Sequence, residues 1–249
     1  MDQTTVFFLV FAIHWYFSLF SQTFFLHRYA AHSMFSMKPF WEKSFYLFTW
    51  ITQGSSYLSP YAYGVLHRLH HAFADTENDP HSPKYTKGLF PLMHKTKQIY
   101  SNINMDVFPV DEKYKRNLPM WRSFDHFASS MIVRLMWVAI YAVFYYFFAT
   151  HWWMWLLFPI SVLMGPVHGA IINYFAHKFG YRNFQVEDTS KNFLPVDVLM
   201  MGESYHNNHH KFGSRPNFGV RWFELDPTYP VIRILDALHI IRLNRDVTA

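Results

Sequence analysis

Residues 4–26, TTVFFLVFAIHWYFSLFSQTFFL, run without a single formal charge. Wound as a helix, such a run is long enough to cross a hydrocarbon layer ~30 Å thick. No basic segment precedes it, so it reads as a span rather than a cleavable signal. Two further apolar runs, 127–148 and 152–176, are separated by only a few residues, which predicts an antiparallel hairpin through the bilayer. Arg134 falls near the polar end of the first of these, within reach of the interface by snorkelling. Residues 40–63 differ. They hold Glu42 and Lys43 near the start, Gln53-Gly54-Ser55-Ser56 in the middle and Pro60 near the end, a pattern that suits a re-entrant or interfacial helix.

The rest of the composition agrees with a membrane protein. Only 16% of residues are charged, against about 25% in a soluble domain, and 27 Phe, 16 Tyr and 9 Trp exceed what a small soluble core needs. The length of 249 residues suits one domain, 1–249. There is no cysteine, so disulfides, thiolate nucleophiles and cysteine-bound metals are excluded. The net charge of +5 is not gathered in a base-reading motif, and attraction to membrane lipids explains it without nucleic acid. None of the 22 Lys and Arg lies between Met1 and His27 or between Leu135 and His177. The positive-inside rule therefore predicts three crossings, with the N-terminus outside and the C-terminus in the cytoplasm.

Histidine clusters border the apolar runs on the predicted cytoplasmic side. They are His27-Arg-Tyr-Ala-Ala-His32, His67-Arg-Leu-His70-His71, Asn173-Tyr-Phe-Ala-His177 and His206-Asn-Asn-His209-His210. On a helix, residues at i, i+3 and i+4 share a face, so each H-x-x-H-H converges, and so do Asn173 and His177. His27 and His32, five apart, imply a distorted helix end. Nine imidazoles exceed the four ligands of a tetrahedral zinc site, and two octahedral-leaning ions account for them better. Imidazole alone does not select among Zn, Cu, Fe and Ni. A metal pair at the mouth of a membrane bundle, open to lipid chains and dissolved oxygen, favours iron.

In these residues the chain resembles the membrane fatty acyl desaturases, most nearly the Δ9 acyl-CoA (stearoyl-CoA type) branch in a short bacterial form. HRYAAH, HRLHH, NYFAHKFG and HNNHH match that family's boxes, and DTENDPHSP and GESYHNNHH match their flanks. The resemblance implies an all-α integral membrane protein: a transmembrane helical bundle capped by a cytosolic helical domain, with a kinked tunnel for the acyl chain. It implies that His27, His32, His67, His70, His71, His177, His206, His209 and His210 bind two iron ions, with Asn173 reaching one through water. The implied reaction uses O2 and two electrons to insert a cis double bond. No haem-binding segment is present, so a separate electron donor is expected, such as ferredoxin or cytochrome b5 with a reductase. Tyr63-Gly-Val-Leu66 stands where that branch has Trp-Ala-Arg-Asp. This leaves acyl carrier protein or a glycerolipid beside acyl-CoA as carrier of the fatty acyl substrate.

Asp75, Asp79, Glu203, Asp197 and His168 lie near the boxes as candidates to orient bound histidines. Gln53, Tyr57, Trp50 and Arg68 are candidates for contact with the substrate. Lys95, Lys97 and Arg182, with Arg68, are candidates for phosphate or carrier contacts, although ordinary solvated charge explains them more readily. His81 sits in a proline-bounded turn, His14 in mid-membrane, and residues 230–243 read as an amphipathic surface helix. Two other functions fit the same boxes: a lipid hydroxylase, ketolase or decarboxylase, and a non-enzymatic metal-binding membrane protein.

Overall fold

The computed structural model describes residues 1–244. Helix α1 (Gln3–Phe20) is N-capped by Asp2, whose carboxylate accepts from the Thr5 N–H at 2.9 Å. It continues without a break into a π-helical stretch, Ser21–Ala31, so that 29 residues form one rod. At about 1.5 Å per residue this rod outreaches the hydrocarbon layer, and its far end carries His27 out of the apolar slab.

After β1 (Phe35–Met37) come α2 (Pro39–Gln53), a 3-10 turn (Gly54–Ser56) and α3 (Pro60–Phe73). Residues 40–63 are thus two helices folded back at Gly54, whose φ of +52° is disfavoured for a residue with a Cβ. Then come α4 (Leu89–Asn104), α5 (Glu112–Lys115) and α6 (Arg122–Ser129), which lead to α7 (Met131–Phe148). Ser130 is extended and caps α7, so the second span starts at Met131 rather than at 127. On α7, Ile132, Leu135 and Tyr146 are exposed, as lipid-facing residues must be.

The third apolar run is not a straight crossing. A 3-10 stretch (Trp152–Leu157) and α8 (Phe158–Val162) meet α9 (Met164–Ala170), a π turn (Ile171–Phe175) and α10 (Ala176–Lys178). The two halves bend by 79°. Pro166 has no N–H to give the Val162 carbonyl. The Ser55 hydroxyl donates to that carbonyl instead, at 2.7 Å, and the Gly165 N–H donates to the Ser56 hydroxyl at 3.0 Å. Arg134 does not snorkel; its guanidinium turns inward and donates to the Ser55 and Tyr57 carbonyls at 2.5 and 3.0 Å. Two interrupted backbones at membrane depth therefore satisfy each other's polar groups.

Last are α11 (His206–Lys211), α12 (Thr228–Ala237) and β2 (Ile241–Leu243). The helix expected over 230–243 ends at Ala237, and β2 pairs antiparallel with β1. Phe24, Phe25, Phe35, Tyr46, Tyr205 and Phe218 share one buried cluster that ties the rod to α2 and to the approach to α11. Each such side chain contributes roughly 1.5–3 kcal/mol by leaving water. With two helices long and apolar enough to span, a bent pair as the third, and one small sheet among the described residues, this is an all-α integral membrane protein.

Candidate metal centre

Local backbone geometry brings the first pair of histidines together. In the π-helical stretch hydrogen bonds run from i+5 to i, and the His32 N–H donates to the His27 carbonyl at 3.1 Å. Residues five apart, awkward on an α-helix, thereby stack on one side. Across from them, α3 presents His67, His70 and His71, and α11 presents His206, His209 and His210. Helix α11 is only six residues long, too short to persist by propensity. The two asparagines inside its box fix it in place. Asn207 accepts from the Asn183 and Phe184 N–H groups at 2.9 Å, while the Asn208 amide donates to Glu224 at 2.8 Å and to the Phe218 carbonyl at 2.9 Å.

The nine rings sort into two groups. His27, His32, His67, His71 and His209 form one; His70, His177, His206 and His210 form the other. Each H-x-x-H-H is divided rather than converging on one point. From α3, His67 and His71 go to the first group and His70 to the second; from α11, His209 goes to the first and His206 and His210 to the second. Both helices thus lie between the groups and belong to each.

Outer partners fix which nitrogen faces inward. Nδ1 of His27 donates to Glu203 at 2.7 Å, that of His70 to Asp79 at 2.9 Å, and that of His210 to Asp188 at 2.7 Å. The His177 Nδ1 lies 3.1 Å from the Thr189 hydroxyl, whose N–H donates to Asp75 at 2.5 Å. Burial pushes the Glu203 and Asp188 carboxyls up, but the histidines that donate to them outweigh this and hold both below the ordinary carboxylate range. The rings behave oppositely. Burial, then repulsion from neighbouring imidazoles, puts His67, His70, His71, His206 and His209 well below the ordinary histidine value. In His27, His70 and His210, where Nδ1 donates to a carboxylate, the Nε2 atom faces the other rings.

Several Nε2 atoms stand within hydrogen-bond distance of one another, and in one pair neither ring has a proton left to give. The Nε2 atoms of His27 and His209 are 3.0 Å apart, those of His67 and His71 3.0 Å, and those of His177 and His206 3.0 Å. His70 and His210 both have Nδ1 committed to carboxylates, yet their Nε2 atoms stand 3.3 Å apart, acceptor against acceptor. A cation removes that repulsion. Nitrogens about 2.1 Å from one ion and at right angles around it are roughly 3 Å apart, as these are. The donor set fits two metal ions, one with five imidazoles and one with four.

The other sequence candidates are placed as follows. Asp197 accepts from the backbone N–H groups of Met200, Gly202 and Ser204 at 2.8–2.9 Å and shapes the loop before α11, touching none of the nine rings. Asn173 stands in the π turn before His177 but makes no hydrogen bond to the nine rings. His168 is buried against Trp15, its ring centroid 4.5 Å away, with both nitrogens unpartnered. His81 stacks at 4.2 Å on His70, also with both nitrogens unpartnered. His14 lies apart, 3.4 Å from the Tyr141 hydroxyl. Arg68 spends its guanidinium on the carbonyls of Ala30, Ala31 and Arg116, clamping α3 to the rod. Gln53 accepts from the Leu58 N–H at 3.0 Å, Tyr57 donates to Asp125 at 2.7 Å, and Trp50 packs against Trp137. Lys95 caps the Asp79 carbonyl at 2.7 Å, and Arg182 donates to the Asp188 carbonyl at 3.1 Å.

Sequence reading missed Asp188, Thr189 and Thr23. Asp188 lies in a polar run with no fixed spacing to a box, and only the fold brings it to His210. Thr23 donates to Glu203 and accepts from the buried Arg28 at 2.8 Å, inside a stretch that reads as plain span. The loop that carries Glu203 also depends on Gly202, at φ +96°, where a Cβ would run into the Asp226 carboxylate. Gly202→Ala should therefore lower the melting temperature of the purified protein and its bound metal together; an unchanged protein would show that the loop has room.

The fatty acid desaturase family model matches residues 4–244. Over 229 residues the chain is 28% identical to the Delta-9 acyl-lipid desaturase 1 of Arabidopsis thaliana, covering 89% of this chain and 68% of that one. It is 29% identical to the sn-1 stearoyl-lipid 9-desaturase of Synechocystis sp., covering 87% and 64%. It is 31% identical to the icosanoyl-CoA 5-desaturase of Limnanthes douglasii, covering 85% and 57%. The histidine boxes, the membrane helices and this match over nearly the whole chain agree, and the protein belongs to the fatty acid desaturase family, oxidoreductases that act on fatty acids.

Proposed function

We propose that residues 1–249 act as one unit, an oxygen-dependent di-iron desaturase that inserts a cis double bond at the Δ9 position of a saturated acyl chain. The observation that carries this reading is the division of nine imidazoles into a group of five and a group of four, with the ring nitrogens of each group gathered around one point. His27, His32, His67, His71 and His209 would hold one iron; His70, His177, His206 and His210 would hold the other, with Asn173 reaching it through water. Iron, when bound, supplies the activation of O2 and the removal of hydrogen from an unactivated methylene, which no general base can deprotonate. The chain's own residues supply position. Glu203, Asp79, Asp188 and the Thr189–Asp75 pair orient His27, His70, His210 and His177, and Trp50, Gln53 and Tyr57 would line the approach of the acyl chain.

The acyl chain arrives as an acyl-CoA thioester, and electrons come from a separate donor such as ferredoxin or cytochrome b5 with its reductase. The protein would lie in a bacterial inner membrane, and the distribution of Lys and Arg supports a metal centre on the cytoplasmic side, with the N-terminus outside and the C-terminus inside. One observation favours a lipid-linked substrate as a second reading. Val65 and Leu66, where the acyl-CoA branch has Arg-Asp, are buried in an apolar cluster with Tyr61, Leu69 and Leu118 and offer a coenzyme no polar contact. Two of the three relatives named above are also lipid desaturases by name.

Fatty-acid profiling of a heterologous host, with bond positions mapped, tests the reaction. A new cis-Δ9 acid is expected, and an added oxygen without a new double bond would replace the reading with hydroxylation. Supplying labelled stearoyl-CoA and labelled stearoyl-phospholipid to membranes in parallel separates the carriers.

A further inference from the structure

A second site lies away from the metal centre, where the small sheet meets the start of α2. A surface cavity of about 410 Å³ is lined by Ser36, Lys38, Asp236, His239, Ile240 and Arg242. Ser36 pairs directly with Arg242 across the β1–β2 ladder. Cross-strand partners project to the same face, and alternation puts Lys38, two residues beyond Ser36, on that face as well. Ser36, Lys38, His239 and Arg242 are all exposed. The one acid in the lining, Asp236, accepts from the Leu243 N–H through one carboxylate oxygen at 3.0 Å and is outnumbered there by Lys38 and Arg242. His239 is held at φ +56°, an uncommon conformation for a residue with a side chain, so the turn after α12 presents it at the rim.

The depth of the cavity is set by its surroundings. Along α2, Phe40, Leu47 and Ile51 form an exposed apolar stripe at helical spacing, and Phe40, 70% exposed, begins two residues after Lys38. On α12, Ile234 and Leu238 are exposed one turn apart, immediately before His239. A cluster of basic and donor groups flanked on two sides by apolar surface is the profile of a headgroup-level site in a bilayer.

We propose that this cavity binds the phosphate of an anionic glycerophospholipid, with Arg242 and Lys38 neutralising the phosphate, Ser36 and His239 donating to it, and the acyl tails lying along the Phe40–Ile51 and Ile234–Leu238 stripes. The lipid is a structural ligand, distinct from the substrate, and it fixes how deeply α2 and the β1–β2 sheet sit beside the rod that carries His27.

Native mass spectrometry of the full-length protein, titrated with phosphatidylglycerol or phosphatidylcholine, tests the site. The wild type should retain one phosphatidylglycerol in preference to phosphatidylcholine, and Lys38→Gln/Arg242→Gln should weaken that retention about tenfold. Arg242→Lys should keep most of it. Inorganic phosphate, which has the charge but no tails, should not displace the lipid; displacement would assign the cavity to a soluble phosphate and overturn the lipid. Equal phosphatidylglycerol retention by wild type and double variant would overturn the site. Should the double variant be unstable, Lys38→Gln alone, at an exposed position outside the core, gives the same comparison. None of these outcomes depends on the reaction at the metal centre.

Discussion

On the di-iron reading, His70→Ala should abolish product formation and weaken or remove one of the two irons. His70 is one of only four imidazoles in its group, and its loss leaves His177, His206 and His210, a three-ring site that should hold its ion more weakly. The variant also deprives the buried Asp79 carboxylate of its histidine donor, leaving it the backbone N–H groups of Asp75 and His81. Loss of an outer partner typically costs roughly 10–100-fold in metal affinity or activity, and loss of a direct ligand costs more. Asp79→Asn should therefore fall between wild type and His70→Ala. His14→Ala, which removes a ring packed on Tyr141 in mid-membrane, should leave iron content near that of wild type. Iron assays and lipid profiles on the three variants check the order. Full activity in His70→Ala would make the cluster a packing feature.

Acidification should weaken the metal-free chain and strip the loaded one over the same range. Burial holds His32, His67, His70, His71, His206 and His209 neutral in the fold, well below the ordinary value of 6.5. In the unfolded chain these rings protonate near that ordinary value. Below about pH 6.5 the unfolded state therefore binds more protons than the fold, and stability falls as the pH drops, by up to about 1.4 kcal/mol per ring for each pH unit. Above that value the six contribute no pH dependence. Glu203 and Asp188, held below the ordinary carboxylate range, remain ionised through this window, so the loss is assigned to the rings. Metal binding needs the same neutral rings, so on the di-iron reading iron should leave as they protonate. Melting of chelator-treated protein across the window should show a steady fall toward acid. A flat profile would mean that the rings are less secluded than their packing indicates.

How much of this was legible in the sequence depended on the range over which each signal acts. The charge-free run at residues 4–26 announced a span because hydropathy is summed locally, and the boxes announced themselves because helical spacing is also local. The bend in the third apolar run did not. Pro166 hinted at it, but the donors that make the break tolerable, Ser55 and Ser56, come from a turn more than a hundred positions away. For the same reason Arg134 read as a snorkelling side chain; the carbonyls it binds exist only once the re-entrant turn is docked. The five-residue spacing of His27 and His32 looked irregular because an α-helix was assumed, and a π-helical backbone makes it regular. Spacing also placed all three residues of each H-x-x-H-H on one face. It could not show that α3 and α11 lie between two groups and divide their rings between them. Of the carboxylates, Glu203 and Asp79 were found by proximity to a box, whereas Asp188 needed the fold to reach His210.

The most direct measurement is metal analysis with Mössbauer spectroscopy on purified, catalytically active protein. Two irons per chain are expected, in two unequal nitrogen-rich environments, reflecting one group of five rings and one of four. Active protein that holds a single metal, or zinc in place of iron, would contradict a di-iron centre built from these nine histidines.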